Sequence, residues 1–322
     1  MRDKGSASVV GWKAPGLLLG GLGVVAFSLT LPATRVADPA FGPITVGVGR
    51  AVAAAVLAAI VLRARGEQLI VPALVPRLGI VVAGVVVGFP LLTAFALQDV
   101  NSAHAAVVSG LLPAATAGMA VLRAGERPRR AYWLALGVGL AAVVIFAALA
   151  GAGRPRLADV LVLAAVGLAG LGYAEGAALA REYGGWRVIC WALVLAAPIL
   201  APATALALVL HPPQHVTIAA LAGLGYVSAI SMFLGFFAWY AGLARGGVAR
   251  VGRLQLVQPV LTLGWSVLLL GEHISIATAI AAVIVLATVT VGRKARVDQT
   301  LPAHRAAPEP PTEPPRNKEV RT

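Results

Sequence analysis

Long apolar stretches follow one another along nearly the whole chain, and short polar or charged gaps separate them. A segment needs about 20 apolar residues to cross the hydrocarbon core of a bilayer, and it has to be helical because its backbone groups find no water there. The pattern therefore predicts an all-α integral membrane protein with ten transmembrane helices. Their expected ranges are 16–35, 41–62, 78–98, 102–122, 131–150, 159–180, 187–210, 217–243, 247–270 and 274–292.

Composition supports this assignment to the membrane. Of the 322 residues, 59% are hydrophobic and only 12% are charged, and the mean hydropathy is +0.87. A water-soluble domain of this length cannot bury so much apolar surface, so the surplus has to face lipid. The net charge of +13 would suit a nucleic-acid partner if the cations were clustered on one face. They lie scattered in the gaps between apolar stretches, so no nucleic-acid partner is expected.

The positions of the basic residues give an orientation, because the cytoplasmic loops of membrane proteins retain Lys and Arg. Of the 26 such residues, Arg35, Arg154 and Arg156 fall in gaps on one side of the predicted bundle and Arg50 falls within a span. The others fall on the opposite side. We therefore expect a multi-pass protein of the inner or plasma membrane with both termini in the cytoplasm.

The second half of the predicted bundle repeats the first at a fixed offset of 146 residues. Between residues 97 and 126, nine of thirty positions are identical to their counterparts. Each unit holds five spans, an odd number, so the second copy is inverted in the membrane, as in transporters that work by alternating access. An old duplication kept only for packing is the alternative. The predicted organisation is a cytoplasmic N-terminal tail over 1–13, five-helix repeats over 14–150 and 159–292, and a disordered, proline-rich cytoplasmic tail over 293–322.

Both copies carry one motif, in which a proline within a span is followed by an apolar run that closes in Gly-Glu. It extends from Pro113 to Gly125 and Glu126, and again from Pro259 to Gly271 and Glu272. With ten spans and both termini on one side, this duplicated motif resembles the EamA-like family of the drug/metabolite transporter superfamily, over residues 14–292. The resemblance implies a ten-helix fold around a central cavity, and export or exchange of amino acids, other metabolites or toxic compounds. The first Gly-Glu is followed by Arg127, as in many members of the family. The second is followed by His273, which is a departure from that pattern.

Two ionisable residues lie inside predicted spans. Arg50 is well within the second span, where a guanidinium is costly unless it faces a cavity or a partner. Glu175 lies within the sixth span and is the candidate partner. In the functional interpretation Arg50 attracts a substrate carboxylate and Glu175 takes up and releases a proton. In the alternative, Glu175 extends toward the helix end near Arg181, and Arg50 binds carbonyl groups or lipid headgroups.

Polar and aromatic residues of other spans are further candidates for the substrate or proton pathway. Gln255 and Gln258 are three apart on one helical face, just before Pro259, so a broken turn there could offer amides and free carbonyls to a ligand. Hydrogen bonds between helices are the alternative role for these glutamines. The remaining candidates are Gln98, Tyr173 and Trp265.

These observations favour a secondary transporter, an exporter of small metabolites such as amino acids, or of drugs, by alternating access. Its expected partners are a small-molecule substrate, the lipid bilayer and a proton as candidate coupling ion. A non-transporting membrane scaffold is one alternative. A membrane enzyme acting on lipid-linked substrates is another, but it would need clustered Asp, His or Arg residues at one interface, and the sequence shows no such cluster.

No cofactor, metal or enzymatic activity is expected. His211 and His215 have the spacing of metal ligands, but Pro212 and Pro213 prevent the helix that would bring them together. The chain has no phosphate-binding loop, so ATP is not the expected energy source. Pairs of glycines four apart, such as Gly84 and Gly88, indicate close helix packing within the bundle, and nothing supports a homodimer, although the sequence is compatible with one.

Overall fold

The computed structural model describes residues 14–69, 71–124, 130–150, 156–247 and 251–297, and this part of the chain is helical throughout, without a strand. Two 3₁₀ turns (Pro72–Leu74 and Gly252–Val257) and three π-helical segments (Thr45–Gly49, Val82–Gly88 and Tyr226–Leu234) interrupt the α-helices. The α-helices are α1 Ala14–Ser28, α2 Thr30–Ile44, α3 Arg50–Ala64, α4 Val75–Val81, α5 Phe89–Asp99, α6 Ser102–Ser109, α7 Leu112–Ala124, α8 Arg130–Ala150, α9 Leu157–Tyr183, α10 Gly185–Leu210, α11 Ile218–Gly225, α12 Gly235–Gly246, α13 Gln258–Leu270 and α14 Ile276–Val297.

Seven helical runs in the described part are long and apolar enough to cross a membrane. Two shorter apolar helices, Gly137–Phe146 and Ile276–Val291, accompany them. Large apolar side chains cover the outside of the bundle: Ile199 is 75% exposed and Val209 is 77% exposed. Such a surface is stable in lipid rather than in water, so the chain is a membrane protein. The seven runs are Gly16–Ala64, Pro72–Asp99, Ser102–Leu122, Leu157–Tyr183, Gly185–Leu210, Ile218–Gly246 and Gly252–Leu270.

The first run extends over 49 residues and contains a break at Gly42. Gly42 has φ 75° and ψ 158°, a backbone conformation open to glycine, and prolines lie on either side of it at 39 and 43. The sequence predicted that the first span ends at residue 35, before the charged residues of a loop. Helix α2 instead continues past Arg35 and Asp38, because both side chains find partners within the protein.

Each helix packs on a defined neighbour. Helix α1 lies along α12, and α2 lies along α11. Helix α9 lies along α5, α7 and the segment Val82–Gly88, whereas α3 packs on α10 and α8 packs on α14.

Glycines allow the closest of these approaches, as the spacing of small residues predicted. A methyl group added at Gly84 would lie 2.5 Å from the carbonyl oxygen of Leu168 and 2.7 Å from Cα of Gly172. At Gly16 an added methyl group would lie 2.6 Å from the backbone nitrogen of Gly246. Because these neighbours are backbone atoms, they cannot move aside as a flexible side chain would, and any larger residue would push the helices apart.

Some predicted features lie outside the described residues. They include the tail over 1–13, most of the C-terminal tail, and Gly125 and Glu126 of the first copy of the motif. Helix α14 continues to Val297, beyond the predicted end of the last span at residue 292.

Candidate functional site

A cavity lies between the helices, with about 660 Å³ of unfilled space including its open part. Side chains from α1, α2, α3, α5, α6, α7, α9, α12 and α13 line it, together with the segments Val82–Gly88, Tyr226–Leu234 and Gly252–Val257. Most of its surface is apolar, and a small number of polar side chains interrupt that surface. This is the usual character of a small-molecule site.

Arg50 is the charged side chain on the cavity wall within the described part of the chain. It begins α3, directly after the π-helical segment Thr45–Gly49, and is only 1% exposed. Its Nε and both Nη atoms have no hydrogen-bond partner among the described residues. Asp38 on α2 is close enough to attract the guanidinium electrostatically, while its Oδ2 accepts a hydrogen bond of 3.2 Å from Gln98. Arg50 therefore has an acidic neighbour but keeps its N–H donors free.

The predicted pair between Arg50 and Glu175 is wrong. Glu175 accepts a hydrogen bond of 2.5 Å from Nε of Arg77 at the start of α4. The same guanidinium also approaches Glu182, with Nη1 3.3 Å from Oε1. The physical reason is helix geometry: Tyr173 lines the cavity, and a residue two positions later lies about 200° around the helix. Glu175 therefore points toward α4, and the interpretation of it as a helix-end group is nearer to the structure, with Arg77 as partner.

Both predicted glutamines line the cavity, and both have unpaired polar atoms. Gln255 is 2% exposed, and neither its Nε2 nor its Oε1 has a hydrogen-bond partner in the described structure. Oε1 of Gln258 is likewise unpaired. The predicted broken turn is present: Gly252–Val257 is a 3₁₀ turn, and α13 begins at Gln258 with Pro259 in its first turn. Ser109 at the end of α6 contributes a further unpaired hydroxyl to the cavity wall.

Aromatic rings form another part of the wall. Tyr173, a predicted site residue, lies 6.4 Å from Phe27 and 5.9 Å from Phe236 between ring centroids. Phe27 and Phe236 are 4.9 Å apart. These distances are those of packed aromatic pairs, so the three rings form a continuous apolar surface against which a ligand could lie.

Two other predicted site residues do not belong to the cavity wall of the described structure. Trp265 donates through Nε1 to the hydroxyl of Ser28 at 3.0 Å, and Thr262 donates to the carbonyl of the same serine at 2.7 Å. These bonds join α13 to α1. Gln98 is exposed at the end of α5, where it binds Asp38.

Gly271 and Glu272 of the second motif close one helix and begin another. Gly271 ends α13 with φ 63°, in the left-handed region that favours glycine. This turn directs the Glu272 carboxylate to the start of α6, where it accepts from the backbone N–H groups of Ser102 and Ala103 at 3.0 and 2.8 Å. It also accepts from the hydroxyl of Ser102 at 2.8 Å. Glu272 is therefore an N-terminal cap supplied from a distant part of the chain.

Several charged residues that matter in the structure were missed by sequence reasoning. Asp38 was placed in a loop, although an acidic residue between two apolar stretches was a signal that could have drawn attention. His104 and Asp159 form a buried pair, with Nε2 and Oδ1 2.5 Å apart, which joins the starts of α6 and α9. Nothing in the sequence places these two side chains together. The described residues contain no cluster of three or more side chains suited to a metal ion.

Comparison with known proteins agrees with this architecture. The model of the EamA-like transporter family matches residues 14–148 and again 156–291. Over 281 residues the chain is 44% identical to a protein of Bacillus subtilis (strain 168) named "Uncharacterized transporter YdeK", covering 87% of this chain and 97% of that protein. A solved structure described as "Crystal structure of protein" shares the fold, with a TM-score of 0.61 and 20% identity over 90% of this chain and 100% of that chain. The resemblance inferred from the repeated Gly-Glu motif is confirmed, and the chain belongs to the EamA-like transporter family, whose members are membrane transporters.

Proposed function

We propose that this protein is a secondary transporter that exports a small metabolite, and that the cavity is its binding site. Two inverted five-helix halves surround the cavity and rock against each other, so that it opens in turn to either side of the membrane. The symmetry of the cavity wall is the observation that carries the proposal.

The wall is built from corresponding positions of the two sequence copies. At the offset of 146 residues, a lining residue in the first copy corresponds to a lining residue in the second in six cases. A cavity made in this way lies on the axis that relates the two halves, where transporters with inverted repeats bind their substrates. The pairs are Phe27 with Tyr173, Val85 with Ser231, Pro90 with Phe236, Ser109 with Gln255, Leu112 with Gln258, and Pro113 with Pro259.

Backbone features support the same two-half arrangement. The π-helical segment Val82–Gly88, shifted by 146 residues, falls within the π-helical segment Tyr226–Leu234. Helix pairs correspond as well: α1 lies on α12 as α9 lies on α5, while α3 with α10 and α8 with α14 are pairs of counterparts. A duplication kept only for packing would preserve helix contacts, but it would not require the two copies to share one polar cavity.

Ten spans are consistent with the lengths of the helices. The run Gly16–Ala64 has 49 residues, about 73 Å at 1.5 Å per residue, which is more than twice the thickness of a hydrocarbon core. With its break at Gly42 it supplies two spans. The six other long runs supply six, and the helices containing the apolar stretches Gly137–Phe146 and Ile276–Val291 supply the last two. By the distribution of Lys and Arg, both termini lie in the cytoplasm of a cell whose inner or plasma membrane holds the protein.

Polar contacts join the helices at both ends of this bundle. On the proposed cytoplasmic side, Arg77 binds Glu175, and Arg187 binds Glu67 at 2.5 Å. On the proposed external side, His104 binds Asp159, and Glu272 caps α6. Alternating access requires that one group of contacts separates while the other holds.

Export rather than uptake is the direction implied by the family resemblance, and a proton gradient is the proposed energy source. The family and the name of the Bacillus relative both point to a transporter rather than an enzyme. No observation favours a scaffold or an enzyme acting on lipid-linked substrates.

Flux measurements with purified protein in liposomes test the proposal. A panel of labelled amino acids, organic acids and amphipathic cations is offered with and without an imposed pH gradient. We expect saturable flux of at least one compound, responsive to the gradient, and its loss in Ser231→Phe, which fills the cavity. Leu234→Phe is the matched control, because it introduces the same phenyl ring in the same π-helical segment at an exposed position that does not line the cavity. Absence of flux for every compound, with a folded protein, would refute the proposal.

A further inference from the structure

We propose that the cavity takes a small organic anion: a monocarboxylate whose acid group binds Arg50 and whose apolar body lies against Phe27, Tyr173 and Phe236. The inference rests on the proposed function and names the substrate class of the same site.

The charge of the wall is the first argument. Arg50 is the charged residue lining the cavity in the described part of the chain, and it is 99% buried, since only 1% of it is exposed. A buried guanidinium with unpaired donors is costly, and a planar carboxylate satisfies two of them at once. Asp38 lowers that cost by electrostatic attraction without occupying the donors. Arg50 therefore offers a buried guanidinium whose free donors an anion would satisfy.

The polar groups around the cavity fit a ligand that carries one charge. Gln255, Gln258 and Ser109 present unpaired amide or hydroxyl groups, which bind oxygen and nitrogen atoms of a ligand without demanding a second charge. No described acidic side chain lines the cavity, so a ligand ammonium group would find no counter-ion there and would meet the charge of Arg50. A cationic drug is therefore disfavoured.

Comparison of the two sequence copies shows that the cavity wall is chemically asymmetric. Tyr173, Ser231 and Gln258 of the second copy correspond to Phe27, Val85 and Leu112 of the first. Arg50 has no charged counterpart, because residue 196 is alanine. The ligand is thus expected to be amphipathic, with its single acid group at Arg50 and an apolar body against the aromatic rings.

Matched pairs of compounds test the charge requirement directly. The probes are 3-phenylpropionate and 4-methylpentanoate, each compared with its primary amide and with the amine of the same carbon skeleton. Binding to purified protein in detergent is followed by the ligand-dependent rise in apparent unfolding temperature. We expect a saturable rise with the carboxylates and none with the amides or amines at the same concentrations.

Variants locate the charge requirement at Arg50. Arg50→Gln should weaken carboxylate binding about ten- to a hundredfold, as expected for loss of hydrogen bonds to a charged group, and Arg50→Lys should restore part of it. Arg63→Gln is the matched control, because it makes the same chemical change at an exposed position of the same helix. Gln258→Leu copies the first half at this position and should weaken binding several-fold while the protein remains folded.

The outcomes separate the inference from the proposed function. Equal binding of amides or amines, or carboxylate binding that Arg50→Gln and Arg63→Gln leave equally strong, would overturn the assignment of an anion. Failure of every probe to bind would overturn it as well. If the protein in liposomes then transports a neutral or cationic compound in saturable fashion, the proposed transport function is supported and the anionic substrate class is refuted. If it transports none of the compounds, the proposed function is refuted as well.

Discussion

Removal of the Glu272 side chain tests whether the second Gly-Glu motif holds the bundle together. Its carboxylate accepts three hydrogen bonds from the start of α6, at 2.8–3.0 Å, although α6 is distant in sequence. Loss of a cap costs about 1–2 kcal/mol, and loss of a negative charge at a helix N-terminus adds about 0.5–1 kcal/mol. We therefore expect Glu272→Ala to lower the free energy of unfolding by about 2–3 kcal/mol, and Glu272→Gln, which retains acceptors, by about half as much.

The assay is the apparent unfolding temperature of the purified protein in detergent, measured for both variants and for a control. Glu182→Ala removes a half-exposed carboxylate whose contact with Arg77 is 3.3 Å, and it should change the unfolding temperature little. We expect the unfolding temperature to be highest for the wild type, and then to fall in the order Glu182→Ala, Glu272→Gln and Glu272→Ala. If Glu272→Ala unfolds at the same temperature as Glu182→Ala, the carboxylate does not act as a cap and the reasoning is refuted.

Three further predictions concern packing, polar contacts and orientation. Gly84→Val should destabilise the protein by about 3 kcal/mol, because the added atoms meet backbone of α9, whereas Gly79→Val, where nothing lies within 4 Å, should unfold near the wild-type temperature. Asp159→Asn removes the charge that faces His104 and should lower stability by about 1–2 kcal/mol in the same assay; an effect no larger than that of the exposed Asp99→Asn would contradict a structural role for the pair. In a cysteine-free background, Gln214→Cys should react with an impermeant maleimide applied outside intact cells, and labelling only after permeabilisation would reverse the proposed orientation.

Hydropathy alone located most of the helices, because a membrane segment has to be both long and apolar. It placed the end of the first span too early, at residue 35. Charged residues in a sequence mark loops only when they cannot be paired, and Arg35 donates to the carbonyls of Leu97 and Val100 at the end of α5. Such partners come from elsewhere in the fold, and hydropathy carries no information about them.

Four of the predicted pathway residues lie on the cavity wall of the structure. Arg50, Tyr173, Gln255 and Gln258 line the cavity, since polar residues in apolar helices turn away from lipid. The error at Glu175 could have been avoided, because positions 173 and 175 of one helix cannot face the same side. The pairing of His104 with Asp159 could not be predicted from the sequence, because it depends on how α6 and α9 approach one another.

The π-helical segments Val82–Gly88 and Tyr226–Leu234 determine which face of the following helix points toward the cavity. Each wide turn accommodates residues beyond the 3.6 of an α-helical turn, and each residue added to or removed from a helix rotates everything after it by about 100°. Deletion of one residue from Tyr226–Leu234 would therefore turn Phe236 off the cavity wall without breaking the helix. The number of residues in each π-helical segment therefore helps to determine which side chains face the cavity. A substitution keeps that number unchanged, so only an insertion or a deletion would test this dependence.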